Sequence, residues 1–223
     1  MKIPSFIRGN LLLKMTSLNA VVVSIRLLIS AVVQRLLYDY VGAVGLYKIG
    51  QLRSLSQLLM SISSLGTFSG LVKYVAEYRS DKAQLQKLFS TTLVFTIFGV
   101  LGSCITLLVF SDRISDYLFA SNEFSYIIKL TAVIIPFIAV QRVFNGVING
   151  LSEYKKFAKI DLVSYLLTVS LTLLFLFQYN LDGVLIAISI TPIIQVLVLL
   201  FFFFRVLRDY ISFKDIKLKS PMA

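Results

Sequence analysis

Three arginines, Arg26, Arg53 and Arg142, are the residues of this chain best placed to do chemistry, and each lies in a stretch apolar and long enough to cross a lipid bilayer. A guanidinium at membrane depth costs at least about 2.5 kcal/mol on insertion scales, so it is held there by a polar cavity or an anionic partner. Its planar fork of donors can bind two oxygens together, which suits it to phosphate. The chemistry implied is non-covalent: a pathway for something negatively charged.

Each arginine shares a helical face with hydrogen-bonding neighbours, taking about 100° per residue. In the first stretch these are Asn19, Arg26 and Ser30; in the second, Gly50, Arg53, Gln57, Ser61 and Ser64; in the fourth, Arg142, Asn145, Gly146 and Asn149. Such faces are expected to converge on a shared interior, because unsatisfied amides and guanidinium groups facing lipid cost several kcal/mol. The plainer alternative is that each arginine bridges helices through carbonyls or a carboxylate. Most Asp and Glu fall between the apolar stretches, with Asp161 near one end of the fifth, so uncompensated positive charge is the expectation. Substrate contact is accordingly assigned to Arg26, Arg53, Arg142, Asn19, Gln57, Asn145 and Asn149.

The elements that must position these residues follow from composition. Hydrophobic residues make up 57% of the chain and the mean hydropathy is +0.86, values of a polytopic membrane protein. The chain has no histidine, and its one cysteine, Cys104, sits in an apolar run. Imidazole catalysis, His-ligated metal and internal disulfides are thereby excluded, and no catalytic residue, metal or cofactor is assigned. The net charge of +11 does not point to nucleic acid, since the basic residues cluster between apolar stretches, where membrane orientation accounts for them.

The fold class is all-α, with six transmembrane helices at about 14–38, 45–71, 88–110, 126–151, 160–179 and 183–204. Residues 1–206 form this domain and 207–223 a basic tail. Four alternate segments hold fifteen Lys and Arg, while the intervening ones hold only Lys48 and Arg113, which places both termini in the cytoplasm. With that orientation, Arg142 lies toward the inner side, Arg26 near the middle and Arg53 toward the outer side, a staggered cationic track. The first span is too long for a cleavable signal. Pro136 and Pro192 fall inside spans and are candidate kinks. Gly146 and Gly150 form a G-x-x-x-G that predicts close helix packing, and Lys73 to Lys87 reads as an amphipathic helix at the interface or a solvated loop. Lys155, Lys156 and Lys159 serve as orientation anchors.

One segment carries a family likeness. Gly66-Thr-Phe-Ser-Gly-Leu-Val-Lys-Tyr-Val-Ala-Glu-Tyr78, with Asp81 and Gln-Leu-Gln-Lys at 84–87, resembles Wzx-type polysaccharide flippases, as do Gly42-Ala-Val-Gly-Leu-Tyr47 and Gln-Leu-Arg at 51–53. The resemblance implies a lobe of a MATE-like exporter in the bacterial inner membrane that moves undecaprenyl-pyrophosphate-linked oligosaccharide, such as an O-antigen repeat unit, from the cytoplasmic to the periplasmic leaflet. Arg53 matches the family's second helix, Arg26 fits a cation in the first, and Arg142 is carried over by its position in the fourth. Family members usually have about twelve helices in two lobes, so a second six-helix lobe or a homodimer is the expected partner. A non-transporting half-transporter subunit and a prenyl-phosphate transferase are the competing readings, the latter lacking acid/base clusters. A cation-coupled drug exporter would need intramembrane carboxylates.

Overall fold

The computed structural model describes residues 11–78, 81–151 and 154–210. Its elements are α1 (Leu11–Ile62), α2 (Thr67–Glu77), α3 (Lys82–Val109), α4 (Ser111–Phe119), a 3-10 turn (Asn122–Phe124), α5 (Ser125–Gly150) and α6 (Tyr154–Tyr210). The described residues contain no strand. Four helical stretches are long and apolar enough to cross a membrane: Ala20–Ile62, Ala83–Val109, Asn122–Gly150 and Phe157–Phe202. The basic tail from 211 onward lies outside the described residues, as do the side chains of Lys155 and Lys156.

At 52 and 57 residues, α1 and α6 would each measure about 80 Å if straight, more than twice the hydrocarbon thickness of a bilayer. Neither is straight. α1 comprises two helices meeting at Gly42 (φ 68°, ψ −175°), and α6 two helices meeting at Asn180 (φ 50°, ψ −131°). Both junctions use the left-handed region, which glycine enters without penalty and asparagine more readily than most residues. A Cβ placed on Gly183 would overlap the Phe175 carbonyl oxygen, although residues eight apart in a continuous helix stand about 12 Å apart along the axis. The chain therefore turns back sharply at Asn180.

Pairings along the helices give their directions. Residues 11–41 run parallel to 154–179: Arg26 meets Asp161, Val32 and Val33 lie beside Val169 and Leu173, and Tyr40 stacks edge-on against Phe177. Residues 43–62 and α2 run parallel to α5, from Lys48 over the Phe124 ring to Gly150 against Val75. Residues 181–210 follow the same direction, with Tyr126 donating to Asp182 at 2.7 Å and Thr131 beside Ser189 at 3.4 Å. Gly42 and Asn180 thus mark one end of the bundle.

Two apolar clusters brace opposite ends. The larger joins Leu37, Ile49, Leu52, Phe119, Ile127, Ile135, Leu176 and Leu185 near the Gly42 end; the smaller joins Leu71, Val75, Leu85, Ile148, Ile160 and Leu199 at the other. The G-x-x-x-G of α5 produces the close approach its spacing predicts, Gly146 facing Leu71 and Phe68, and Gly150 facing Val75 and the Val72 carbonyl. Pro136 and Pro192 sit inside helices that continue through them.

Two local expectations need correction. Lys73 to Lys87 is not one interfacial helix: α2 ends at Glu77, and α3 starts afresh at Lys82, where the Asp81 carboxylate accepts from the amides of Ala83 and Gln84. That N-cap is what restarts the helix. The segment 111–125, which the six expected spans leave as a connection, contains α4, whose Ser111, Ser115 and Phe119 are buried at four-residue spacing while Asp112, Arg113 and Asp116 face outward.

The glycine seam is testable. Gly150→Ala brings a methyl within 2.7 Å of Val75 Cβ and should lower stability by about 1–3 kcal/mol, seen as a reduced midpoint of thermal unfolding in detergent. Gly102→Ala, with open space around its Cα, should leave the midpoint unchanged or raise it.

Candidate functional site

Through the middle of the bundle runs a broad polar layer. Ser63 Oγ, Thr96 Oγ1, Ser103 Oγ, Gln141 Oε1, Arg142 Nε, Ser164 Oγ and Thr168 Oγ1 are each buried and each without a hydrogen-bond partner among the described residues. Orphaned polar atoms are rare in folded proteins, so these side chains are candidates for something other than packing.

Arg26 does not stand uncompensated, contrary to the expectation from sequence. Its Nη1 lies 2.5 Å from Asp161 Oδ2, and its guanidinium sits over the Tyr165 ring with Cζ 4.8 Å from the centroid. The Tyr165 hydroxyl also donates to the Arg26 carbonyl at 3.1 Å. The parallel course of 11–41 and 154–179 brings Asp161 opposite Arg26, and one turn later Tyr165 falls on the same face. Both charged side chains stay partly open, at 39% and 33% exposure, so the pair is reachable from outside.

Arg53 has no carboxylate within ion-pair distance among the described residues. Its side chain is exposed. Tyr165 lies close enough to interact with it electrostatically. Arg26 and Arg53 are thus brought to the same neighbourhood by one tyrosine. Gln57, one turn past Arg53, is exposed.

Arg142 occupies a separate position. Its Cζ stacks 3.7 Å from the Phe68 ring centroid, and its Nη1 points at Met60 Sδ at 3.9 Å, a weak acceptor. Asn145 and Asn149 are partly buried on the same helix. Asn19 lies in α1, but its side chain is outside the described residues. Counting along the helices from the Gly42 end, Arg53 is about 16 Å deep, whereas Arg26 and the Met60 partner of Arg142 are about 24 and 27 Å deep. Two cations therefore share a level and one lies shallower, in place of an even stagger.

The second span, expected to be continuous from 45 to 71, is interrupted beside Arg142. Leu65 (φ 43°) and Gly66 (φ 72°) both adopt the left-handed conformation, and α2 begins at Thr67. Hydroxyls satisfy part of the loosened backbone: Ser64 donates to the carbonyls of Met60 and Ser61, and Thr67 to that of Ser64 at 2.7 Å. The break turns Phe68 onto Arg142. Serines at 61, 63 and 64 followed by Gly66 were the available signal. Sequence marks Asp161 only as an acid near the end of a span and does not mark Tyr165, Met60 or Phe68; the spacing of Asp161 and Tyr165 is visible, their partner on α1 is not.

A family model for polysaccharide biosynthesis proteins matches residues 12–222. The chain belongs to this family. Within the polysaccharide biosynthesis proteins it is similar to the lipid III flippases of Escherichia coli (strain K12) and Shigella flexneri, at 25% identity over 169 residues in both cases. Those alignments take in 74% of this chain and 40% of each relative, so the chain matches less than half the length of these curated relatives. No solved structure matches it.

Arg142 gives a direct test of whether this layer sacrifices stability. Arg142→Met removes a buried donor that has no acceptor and keeps the contact with Phe68, so the thermal midpoint in detergent should rise, by about 1–2 kcal/mol in stability. A drop in the midpoint would show that the guanidinium is structural.

Proposed function

We propose that this chain forms the cation-lined wall of a flippase that moves undecaprenyl-pyrophosphate-linked oligosaccharide from the cytoplasmic to the periplasmic leaflet of the bacterial inner membrane, and that it is a transporter and not an enzyme. The observation that carries the reading is Arg53: an exposed cation without a carboxylate partner among the described residues, at membrane depth. A guanidinium so placed favours a passing anion, and a pyrophosphate offers oxygens on two phosphorus atoms to adjacent donors. Arg26 and Arg142, with Gln57, Asn145 and Asn149, extend the polar wall toward the other end; Asn19 is assigned to the same wall. The similarity to lipid III flippases supports a lipid-linked glycan as the cargo class.

In this reading α1 and α6 each cross the membrane twice, reversing at Gly42 and Asn180, so that the chain makes six crossings as one MATE-like lobe with both termini cytoplasmic. The double length of each helix and the turn at Asn180 support the count. The Lys and Arg distribution supports the orientation. A second six-helix lobe, or a second copy of this chain, completes the cavity and shields the polar faces from lipid.

Two experiments test these statements. In a strain lacking the protein, Arg53→Ala should abolish export of the lipid-linked glycan at normal protein abundance, and Arg53→Lys should restore only part of it, because an ammonium cannot grip two oxygens with a planar fork. Full export by the alanine variant removes the assigned role. For topology, a Cys104→Ser background with single cysteines at Val44 or Asp182 should label with an impermeant thiol reagent from the periplasm, and one at Asp81 only after permeabilisation. The reverse pattern overturns the orientation.

A further inference from the structure

A cation open to the bilayer faces a selection problem that the flippase reading leaves unsolved. Anionic phospholipids such as phosphatidylglycerol carry one net negative charge, not offset by a head-group ammonium as in phosphatidylcholine, and vastly outnumber any lipid-linked glycan. An unoccupied arginine would fill with them. We propose that Asp161 is a resident competitor that holds Arg26 against singly charged phospholipid phosphates and yields it only to a doubly charged pyrophosphate; this rests on the flippase reading above.

The geometry supports each part. Asp161 already contacts Arg26 at 2.5 Å, and the partial exposure of both side chains lets a lipid head group approach without unpacking the bundle. A phosphodiester brings the same single charge as the carboxylate it would displace, so the exchange gains little Coulomb energy. It also strands Asp161 unpaired at membrane depth and loses the freedom of the incoming lipid. A pyrophosphate bridging a prenyl chain and a sugar carries one charge on each phosphorus. Its second phosphate can engage Arg53, the cation that shares the Tyr165 neighbourhood with Arg26 and lacks a carboxylate of its own among the described residues. Only a ligand reaching both arginines offsets the lost ion pair.

Tyr165 keeps the exchange orderly. Its ring lies beneath the Arg26 guanidinium, and its hydroxyl holds the Arg26 carbonyl at 3.1 Å, so two of its contacts with Arg26 are independent of the partner at the Nη1 edge. The guanidinium can pass from carboxylate to phosphate without its helix moving. Asp161 is in this sense a specificity-determining residue that acts through Arg26.

The test uses the whole protein in nanodiscs and, as probe, a short-prenyl pyrophosphate-linked N-acetylglucosamine, titrated in phosphatidylcholine with increasing fractions of phosphatidylglycerol. The wild-type affinity should be insensitive to phosphatidylglycerol. Asp161→Asn should bind the probe about tenfold more tightly in pure phosphatidylcholine and lose that gain as phosphatidylglycerol rises. Arg26→Gln combined with Asp161→Asn should abolish both effects. Asp161→Ser releases the same charge with less bulk and serves if the asparagine variant does not fold. If a folded Asp161 variant binds the probe as the wild type does and ignores phosphatidylglycerol, the filter is wrong while the flippase reading stands. If the wild type fails to bind the probe at all, or binds it independently of Arg53, both fall.

Discussion

Hydrocarbon offers no partner to a guanidinium, a carboxylate or a loosened backbone carbonyl, and the whole bundle is arranged around that constraint. Apolar clusters occupy the two ends, and a broad polar layer runs through the middle. The contact of Arg26 with Asp161 is the plainest expression of this. It ties α1 to α6 across 135 residues of sequence.

The three arginines meet the constraint in three ways. Arg26 has a carboxylate and an aromatic ring, Arg53 is exposed, and Arg142 has a ring and a thioether but no oxygen acceptor among the described residues. A charge whose needs are already met binds passing anions weakly, and one left wanting binds them strongly.

The sequence made the fold class legible because membrane helices announce themselves by length and apolarity, and it made the three arginines legible as exceptions to that rule. Close packing at Gly146 and Gly150 was also readable from spacing. What sequence withheld was pairing across the bundle. Asp161 looked like an end-of-helix acid because nothing local shows that residues 11–41 lie beside 154–179. The break at Leu65 and Gly66 was hidden for a related reason: a run of serines in an apolar stretch reads equally well as a polar stripe on an intact helix. The α4 helix escaped because nine residues between spans resemble a loop until Ser111, Ser115 and Phe119 are seen to share a buried face.

The interruption of the second span has a mechanical consequence. Below it, α2 is clamped to α5 by glycines that let backbone meet side chain directly; above it, residues 43–62 belong to the other apolar cluster. The span is therefore a shaft in two lengths joined by a short coupling at Ser63 to Gly66. Arg142, resting on Phe68 just below the coupling and on Met60 just above it, spans the joint, so a change in the angle between the two lengths would alter how that guanidinium is held.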